Sequence, residues 1–203
     1  MNKYRVIFLG ALATVLFAFS VLVFVPHLQL STVAPPPGLR AYSDSELAGR
    51  QVYVSLGCLY CHSQQVRSAA FGSDAARGWG RASYPEDYAY DRPHLLGTMR
   101  TGPDLMNIGG RQPSRAWHYA HLYAPRAVTP GSVMPAFPFL FAVKDQAGMG
   151  DEIVDLPAGV GPPGKVVVAG PRARALATYL LAMNHAYPAG QEARAPAAPG
   201  GAP

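Results

Sequence analysis

The longest apolar segment of the sequence lies at its N-terminus. Residues 6–25, VIFLGALATVLFAFSVLVFV, are twenty consecutive positions without a charge. At ~1.5 Å per residue, a helix of this length spans ~30 Å, the thickness of a membrane's hydrocarbon core. Lys3 and Arg5 precede the segment, and the next Lys or Arg is Arg40. We therefore predict a membrane anchor at residues 1–30, its helix ended by Pro26, with the rest of the chain outside the cytoplasm.

A cleaved signal peptide is the alternative to a retained anchor. Signal peptides have shorter apolar cores and end in small residues. Residues 32–34 and 18–20 offer only weak cleavage patterns, and the second of these lies inside the apolar segment. The length of the segment favours the anchor. Both interpretations place the rest of the chain in an oxidising compartment.

Three further segments follow along the chain. Residues 31–41, STVAPPPGLRA, contain three consecutive prolines and predict a stiff, extended linker. Residues 42–187 carry the remaining helical patterns and are expected to form one domain. Residues 188–203, PAGQEARAPAAPGGAP, have the low-complexity composition of a disordered tail.

Helical patterns mark three places in this domain. The first helix is predicted from Ser43 to Leu56, opened by a capping box of Ser43 and Glu46; the side chains available for burial on it are Leu47, Tyr53 and Val54. The second is predicted from Ser114 to Tyr123, after Pro113. The third runs from Pro171 to Asn184, with an apolar stripe at i, i+3, i+4 and i+7 formed by Leu176, Tyr179, Leu180 and Met183.

The rest of the domain is rich in Gly and Pro, which predicts long loops around a thin core. One short β-branched run, KVVVAG from Lys165, indicates either a local strand or a surface hairpin. The fold class is therefore mainly α: one N-terminal transmembrane helix and a small helical domain with long loop insertions. The net charge of +5 comes from scattered residues without a basic run, so we expect no nucleic-acid partner.

The only two cysteines stand three positions apart, with a histidine directly behind them, in GCLYCHS. Three chemistries use such a pair: a redox disulfide, half of a zinc site, or the covalent attachment of a c-type haem. A redox pair is expected to follow a strand, whereas a helical pattern precedes Gly57. A zinc site needs four ligands, and the chain has no third cysteine. The Cys-x-x-Cys-His pattern favours haem, with Cys58 and Cys61 forming thioethers and His62 coordinating the iron.

The iron of such a haem needs a sixth ligand or an open position. Methionine raises the reduction potential relative to histidine, which suits electron transfer. Met134 lies in the apolar loop GSVMPAFPF, where Pro135 holds its backbone extended; the alternative is a methionine packed against Phe137 and Phe139. The competing methionines are Met99, Met106, Met149 and Met183, and the competing histidines are His27, His94, His118, His121 and His185.

The segment TGPDL, residues 101–105, suggests what holds His62. An iron-bound imidazole usually donates its second N–H to a carbonyl or carboxylate, and the carbonyl of Pro103 would suit this role. The alternative is a simple Gly-Pro turn in which Asp104 caps the following residues. Candidates to neutralise the haem propionates are Arg67, Arg100 and Arg111.

The order of these features resembles class I cytochromes c: a helix, CxxCH, a GPxL turn, a methionine loop and a last helix. The sequence is more closely similar to the mono-haem membrane-anchored subunit of cbb3-type cytochrome c oxidases, subunit II or CcoO/FixO. The similar segments cover residues 1 to about 141 and the last helix; they include GCLYCHSQQVR, YPEDYAYDRPHLLGTMRTGPDL, GGR and WHYAHLYAPRAVTPGSVMPAFPFL. The sequence departs from the family between Phe141 and Pro171, where it carries a Gly/Pro-rich stretch.

The resemblance implies a class I cytochrome c domain with one covalent haem c and with His62 and Met134 as axial ligands. It implies a subunit that is not an enzyme on its own and that relays electrons toward a haem–copper catalytic subunit. Its partners would be that subunit, a dihaem cytochrome c subunit and membrane lipid. The anchor would sit in a bacterial inner membrane, with the haem domain in the periplasm.

Other functions fit the same motifs. A membrane-tethered cytochrome c shuttle, the small subunit of a nitric-oxide reductase and a haem-based gas sensor with an open sixth position are the alternatives. The aromatic residues of the 68–99 segment are also open to two interpretations. They could anchor a subunit interface, which we favour, or pack on one another within a loop; they are Trp79, Tyr84, Tyr88 and Tyr90.

Overall fold

The computed structural model describes residues 2–185, which are mainly helical, as the sequence predicts. The predicted tail at 188–203 lies outside the described residues. The helices are α1 (Lys3–Phe19), α2 (Val25–Ser31), α3 (Asp44–Ser55), α4 (Ile108–Arg111), α5 (Arg115–Tyr123), α6 (Pro125–Val128) and α7 (Pro171–Ala182). The strands are β1 (Phe141–Lys144) and β2 (Val166–Ala169), and short 3₁₀ turns cover Cys58–Tyr60, Pro85–Tyr88 and Pro138–Leu140.

The apolar segment forms one continuous helix from Lys3 to Ser31, long and apolar enough to cross a membrane. The prediction that this helix ends at Pro26 is wrong. A π-helical segment, Ser20–Phe24, joins α1 to α2, and the N–H of Val25 bonds to the carbonyl of Ser20. The wider π turn changes the hydrogen-bond register just before the proline, so the chain accommodates a residue that has no N–H.

Helix α3 begins with the predicted capping box. The N–H of Glu46 donates to Ser43 Oγ, and the N–H of Ser43 donates to the Glu46 carboxylate at 2.7 Å. Its buried stripe consists of Glu46, Gly49 and Tyr53, spaced three and four residues apart. The expectation that Leu47 and Val54 are buried is wrong; both are about 40% exposed because they lie off this stripe.

Helix α7 crosses α3 and supplies the centre of the core. All four residues of its predicted stripe are buried, Met183 just beyond the helix end included. A Cβ atom on Gly49 would overlap the carbonyl oxygen of Ala175 and lie 2.7 Å from Tyr179 Cβ. The glycine therefore sets how closely the two helices approach.

The Gly/Pro-rich stretch after Phe141 begins and ends in a two-stranded antiparallel sheet. Phe141 pairs with Ala169 and Lys144 with Val166. The run at 165–168 is thus a strand that pairs with a distant segment, and Val167, Val168 and Ala169 are buried. This pairing closes the loop between the strands and leads the chain directly into α7.

The aromatic segment at 68–99 packs mostly on its own chain. Trp79 and Tyr88 are each 8% exposed and form a second small core with Val66 and Met106. The Tyr88 hydroxyl donates to the carbonyl of Gln64 at 2.8 Å. For these two residues the interface interpretation is wrong, because their rings are already covered; Tyr90, by contrast, is 43% exposed.

Candidate functional site

The turn after α3 brings the two cysteines and His62 together. Gly57 has a φ of +71°, a left-handed conformation that glycine adopts without strain. The N–H groups of Cys61 and His62 then donate to the carbonyl of Cys58 at 3.2 and 3.0 Å. The helix end and this single turn therefore fix the spacing of the three side chains.

The imidazole of His62 is held by the predicted turn at 101–105. Nδ1 of His62 lies 2.7 Å from the carbonyl oxygen of Pro103, so the ring donates its Nδ1–H there and leaves the Nε2 lone pair for a metal. Burial is the main cause that lowers the pKa of His62, which favours the neutral ring that a metal ligand requires.

Gly102 allows this close approach. Its N–H donates to the carbonyl of Cys61 at 2.9 Å. A Cβ at position 102 would lie 2.7 Å from His62 Nδ1 and overlap other ring atoms. The backbone at Gly102 therefore packs directly against the His62 ring. The sequence pattern indicates only that Gly102 belongs to a turn.

Asp104 connects the two segments that hold His62. Its side chain is fully buried. Oδ2 accepts hydrogen bonds from Ser63 Oγ at 2.6 Å and from the N–H of Gln65 at 2.7 Å. Oδ1 accepts from the N–H of Met106 at 2.9 Å, and the Arg100 guanidinium lies 3.8 Å from Oδ2. The capping interpretation of Asp104 accounts for the bond from Met106. The sequence does not reveal the bonds from Ser63 and Gln65.

We expect replacement of Asp104 by Asn to raise the reduction potential of the haem-loaded chain by tens of millivolts. A buried carboxylate beside the histidine that would hold the haem should favour the ferric state, which carries one more positive charge than the ferrous state. An amide also cannot accept every bond that the carboxylate accepts, so the free energy of unfolding should fall by about 1–3 kcal/mol. Redox titration and urea unfolding measure these two changes.

The matched control is Asp145→Asn, at a carboxylate that is mostly exposed and pairs with Lys165. We expect it to change stability by about 0.5 kcal/mol at most and to leave the potential unchanged. Equal potentials in the Asp104→Asn variant and the wild type would show that this carboxylate does not act on the iron.

The surroundings of Cys58 differ from those of a redox-active cysteine. Both are free; Cys58 is half-buried and Cys61 exposed. Burial raises the pKa of the Cys58 thiol to about 11, whereas a redox-active cysteine has a lowered pKa. Within residues 2–185 no three or more His, Cys, Asp or Glu side chains are placed to hold a metal ion. The zinc and redox interpretations therefore find no support here.

Met134 differs from the other described methionines. Met106 and Met183 are fully enclosed in the two cores, whereas Met99 and Met149 are exposed. Met134 is half-buried and packs against the main core, as Cys58, Leu59, Leu95 and Phe137 also do. Its loop is tied to α5, because the N–H of Phe137 donates to the carbonyl of Leu122 at 2.9 Å. The Met134 side chain therefore lies at the edge of the main core, against which Cys58 also packs. This position suits a haem ligand.

The other histidines have different surroundings. His118 and His185 are buried, with ring nitrogens 2.9 Å from the carbonyls of Gln112 and Met106, respectively. His121 stacks on the ring of Trp117 at 4.6 Å. Burial and, secondly, the nearby His62 lower the pKa of His121, so His121 is a histidine close to the site. His27 and His94 are exposed.

His118 makes stability depend on pH. Its pKa is lowered from 6.5 to about 4, mainly by burial. Below pH 6.5 His118 binds a proton in the unfolded chain, whereas in the folded chain it stays neutral until the pH approaches about 4. Stability should therefore fall by up to about 3 kcal/mol as the pH decreases through this window.

Urea unfolding of the haem-loaded chain at pH 7 and at pH 4.5 measures this loss. A His118→Gln variant, whose amide can still donate to the Gln112 carbonyl, should lack this part of the decrease. An unchanged decrease in the variant would assign it to other groups, such as His185, whose pKa burial also lowers.

The arginines near the site are partly engaged within the protein. Arg100 pairs with Asp74 at 2.5 Å and also donates to the carbonyl of Gln65. Arg111 donates to the carbonyl of Asp104. Both guanidinium groups lie over the Trp79 ring, 5.5 and 5.9 Å from its centre. Arg67 is exposed. Of the three candidates for propionate contacts, two thus already stabilise the segments around Asp104.

A comparison with models of protein families identifies the family of this chain. A family model described as cytochrome c oxidase, mono-heme subunit/FixO matches residues 1–160. No curated protein matched the chain. The matched residues include the apolar helix, the cysteine turn, the Gly102–Asp104 segment and the Met134 loop. Because the match covers well over half of the sequence, this chain belongs to the FixO family, the mono-haem subunit of cytochrome c oxidase, and carries one haem.

Proposed function

We propose that this chain is the electron-transfer subunit of a cbb3-type haem–copper oxidase. Its haem is joined to Cys58 and Cys61 by thioethers and coordinated by His62 and Met134. When bound, the haem supplies a centre that accepts and gives one electron. The chain is not catalytic on its own and passes electrons toward the haem–copper subunit in aerobic respiration, alongside the dihaem cytochrome c subunit.

The observation that carries the proposal is the hydrogen bond from His62 to the Pro103 carbonyl, at 2.7 Å. This bond fixes the ring's orientation and tautomer, so Nε2 keeps its lone pair free for a metal. A six-coordinate haem changes little in geometry with its oxidation state and has no open position for a gas. Such a site suits electron relay and disfavours the gas sensor.

The connection between anchor and domain favours a subunit over a shuttle. Arg40, at the end of the linker, makes two hydrogen bonds to the Glu46 carboxylate of α3. The far end of α2 and the 85–94 turn of the domain line one cavity. A shuttle that swings between partners needs a long flexible tether. The positive residues before the helix favour an orientation with the N-terminus in the cytoplasm and the domain in the periplasm of a bacterial inner membrane.

Mass spectrometry tests the covalent haem. The wild-type chain, expressed with a cytochrome maturation system and then denatured, should keep the mass of one haem and start at its encoded N-terminus. A Cys58→Ser, Cys61→Ser double variant should lose the haem under the same conditions. A wild-type chain recovered at its bare polypeptide mass, with thiols open to alkylation, would refute the attachment.

The oxidase role needs a separate experiment. Purification of the chain through an affinity tag should also recover a copper-containing catalytic subunit, and the reduced chain should be oxidised by that subunit in rapid mixing. Recovery without any copper protein would favour the tethered shuttle. Rapid carbon monoxide binding to the reduced chain would instead favour the sensor.

A further inference from the structure

A cavity separates the outer end of the apolar helix from the domain. Its volume is about 250 Å³. The helix contributes Leu22, Val23 and Leu30 to its walls, together with His27. The domain contributes Tyr88, Arg92 and His94 from the turn that follows the second core. The lining therefore combines apolar side chains, most of them from the helix, with the basic groups of His27, Arg92 and His94.

The cavity lies at the level of the lipid headgroups. The uncharged segment ends at Val25, and twenty residues are enough to cross the hydrocarbon core. His27 and the facing Arg92 then sit just beyond that core, where the phosphates of the outer leaflet lie. Leu22 and Val23 remain within the depth of the acyl chains.

Arg92 is available to an anion. The acidic residues beside it are already paired: Asp91 with Arg50 at 2.8 Å and Asp87 with Arg81 at 2.6 Å. In the part of the chain that the structure describes, Arg92 takes part in no salt bridge, and it is exposed. None of the described residues that line the cavity is acidic.

We propose that this cavity binds the phosphate of an anionic phospholipid. The Arg92 guanidinium donates to the phosphate oxygens, with His27 and His94 as further donors, and the lipid's first methylenes pack on Leu22 and Val23. Sites for drug-sized ligands occupy about 300–1,000 Å³, so this smaller volume suits a headgroup phosphate and its glycerol. The bound lipid would hold the domain against the membrane surface and fix its orientation relative to the bilayer.

Hydrogen exchange in lipid nanodiscs tests the site on the full-length, haem-loaded chain. Adding phosphatidylglycerol to phosphatidylcholine discs should slow exchange of the 85–94 amides about fivefold or more, since one basic side chain at an anionic surface contributes ~1 kcal/mol. Arg92→Gln should abolish this protection and Arg92→Lys should keep most of it. Arg172→Gln, at an exposed arginine on α7, removes the same charge and should keep the protection in full.

Protection that survives in Arg92→Gln, or that is equally lost in Arg172→Gln, would overturn the site and indicate general attraction to a charged surface. No effect of phosphatidylglycerol on the wild type would overturn it too. The site rests on the proposed anchor and not on the haem. A chain that does not enter phosphatidylcholine discs would overturn the anchor together with this site, while the haem mass would remain an independent result.

Discussion

The Met134→His variant is expected to keep its haem and to lose a large part of its reduction potential. The proposed thioethers at Cys58 and Cys61 do not depend on residue 134, so covalent attachment should continue. A thioether ligand favours the ferrous iron more than an imidazole does, and axial ligands move haem potentials over a range of ~0.8 V. The expected decrease is therefore a substantial fraction of that range, measured by redox titration.

The matched control for Met134→His is Met149→His. Met149 is completely exposed and stands in the Gly/Pro-rich stretch between β1 and β2. The family match extends to residue 160, so the expectation that this stretch departs from the family from Phe141 onward is wrong for its first part. The same chemical change there should leave the potential at the wild-type value. An unchanged potential in Met134→His would remove Met134 as a ligand and direct attention to His121, whose ring lies near His62.

The Gly49→Ala variant is expected to destabilise the domain strongly, although it adds only one methyl group. The added Cβ would overlap the carbonyl oxygen of Ala175, which belongs to the backbone of α7 and cannot rotate away. Overpacking a core costs about 1–3 kcal/mol, and at Gly49 two helices must separate, so we expect about 3 kcal/mol or more. Urea unfolding of the haem-loaded chain measures the loss.

The neighbouring position supplies the control. Ala48 lies on the exposed side of α3, and Ala48→Ser also adds one heavy atom to the helix. Its effect should stay within about 0.5 kcal/mol. If Gly49→Ala is as stable as Ala48→Ser, the crossing of α3 and α7 is looser than the geometry indicates.

The helix crossing at Gly49 and the proposed haem site are parts of one arrangement. The crossing of α3 and α7 fixes the end of α3, and the cysteine turn follows that end directly. The turn places His62 against Gly102, and Asp104 binds the residues just after His62. A change at Gly49 should therefore also affect the haem through the position of the cysteine turn. A smaller haem content in Gly49→Ala than in Ala48→Ser would show this coupling.

The 68–99 segment shows where sequence patterns were insufficient. Its aromatic residues suggested an exposed surface because no helical or strand periodicity assigned them to a core. In the structure Trp79 and Tyr88 meet Val66 and Met106, which come from segments before and after them. A small core of this kind has no period along the chain, so local patterns do not reveal it.

The sequence by itself determined the local features of this protein: the apolar helix, the capping box of α3, the buried stripe of α7 and the Cys58–His62 spacing. Each depends on residues within a few positions of one another, where backbone geometry fixes which side chains meet. Tertiary structure decided which face of α3 is buried, the bond from Asp104 to Ser63 across 41 positions, and the cavity beside Arg92. These depend on how separate segments pack, because a contact between distant residues follows from the whole fold.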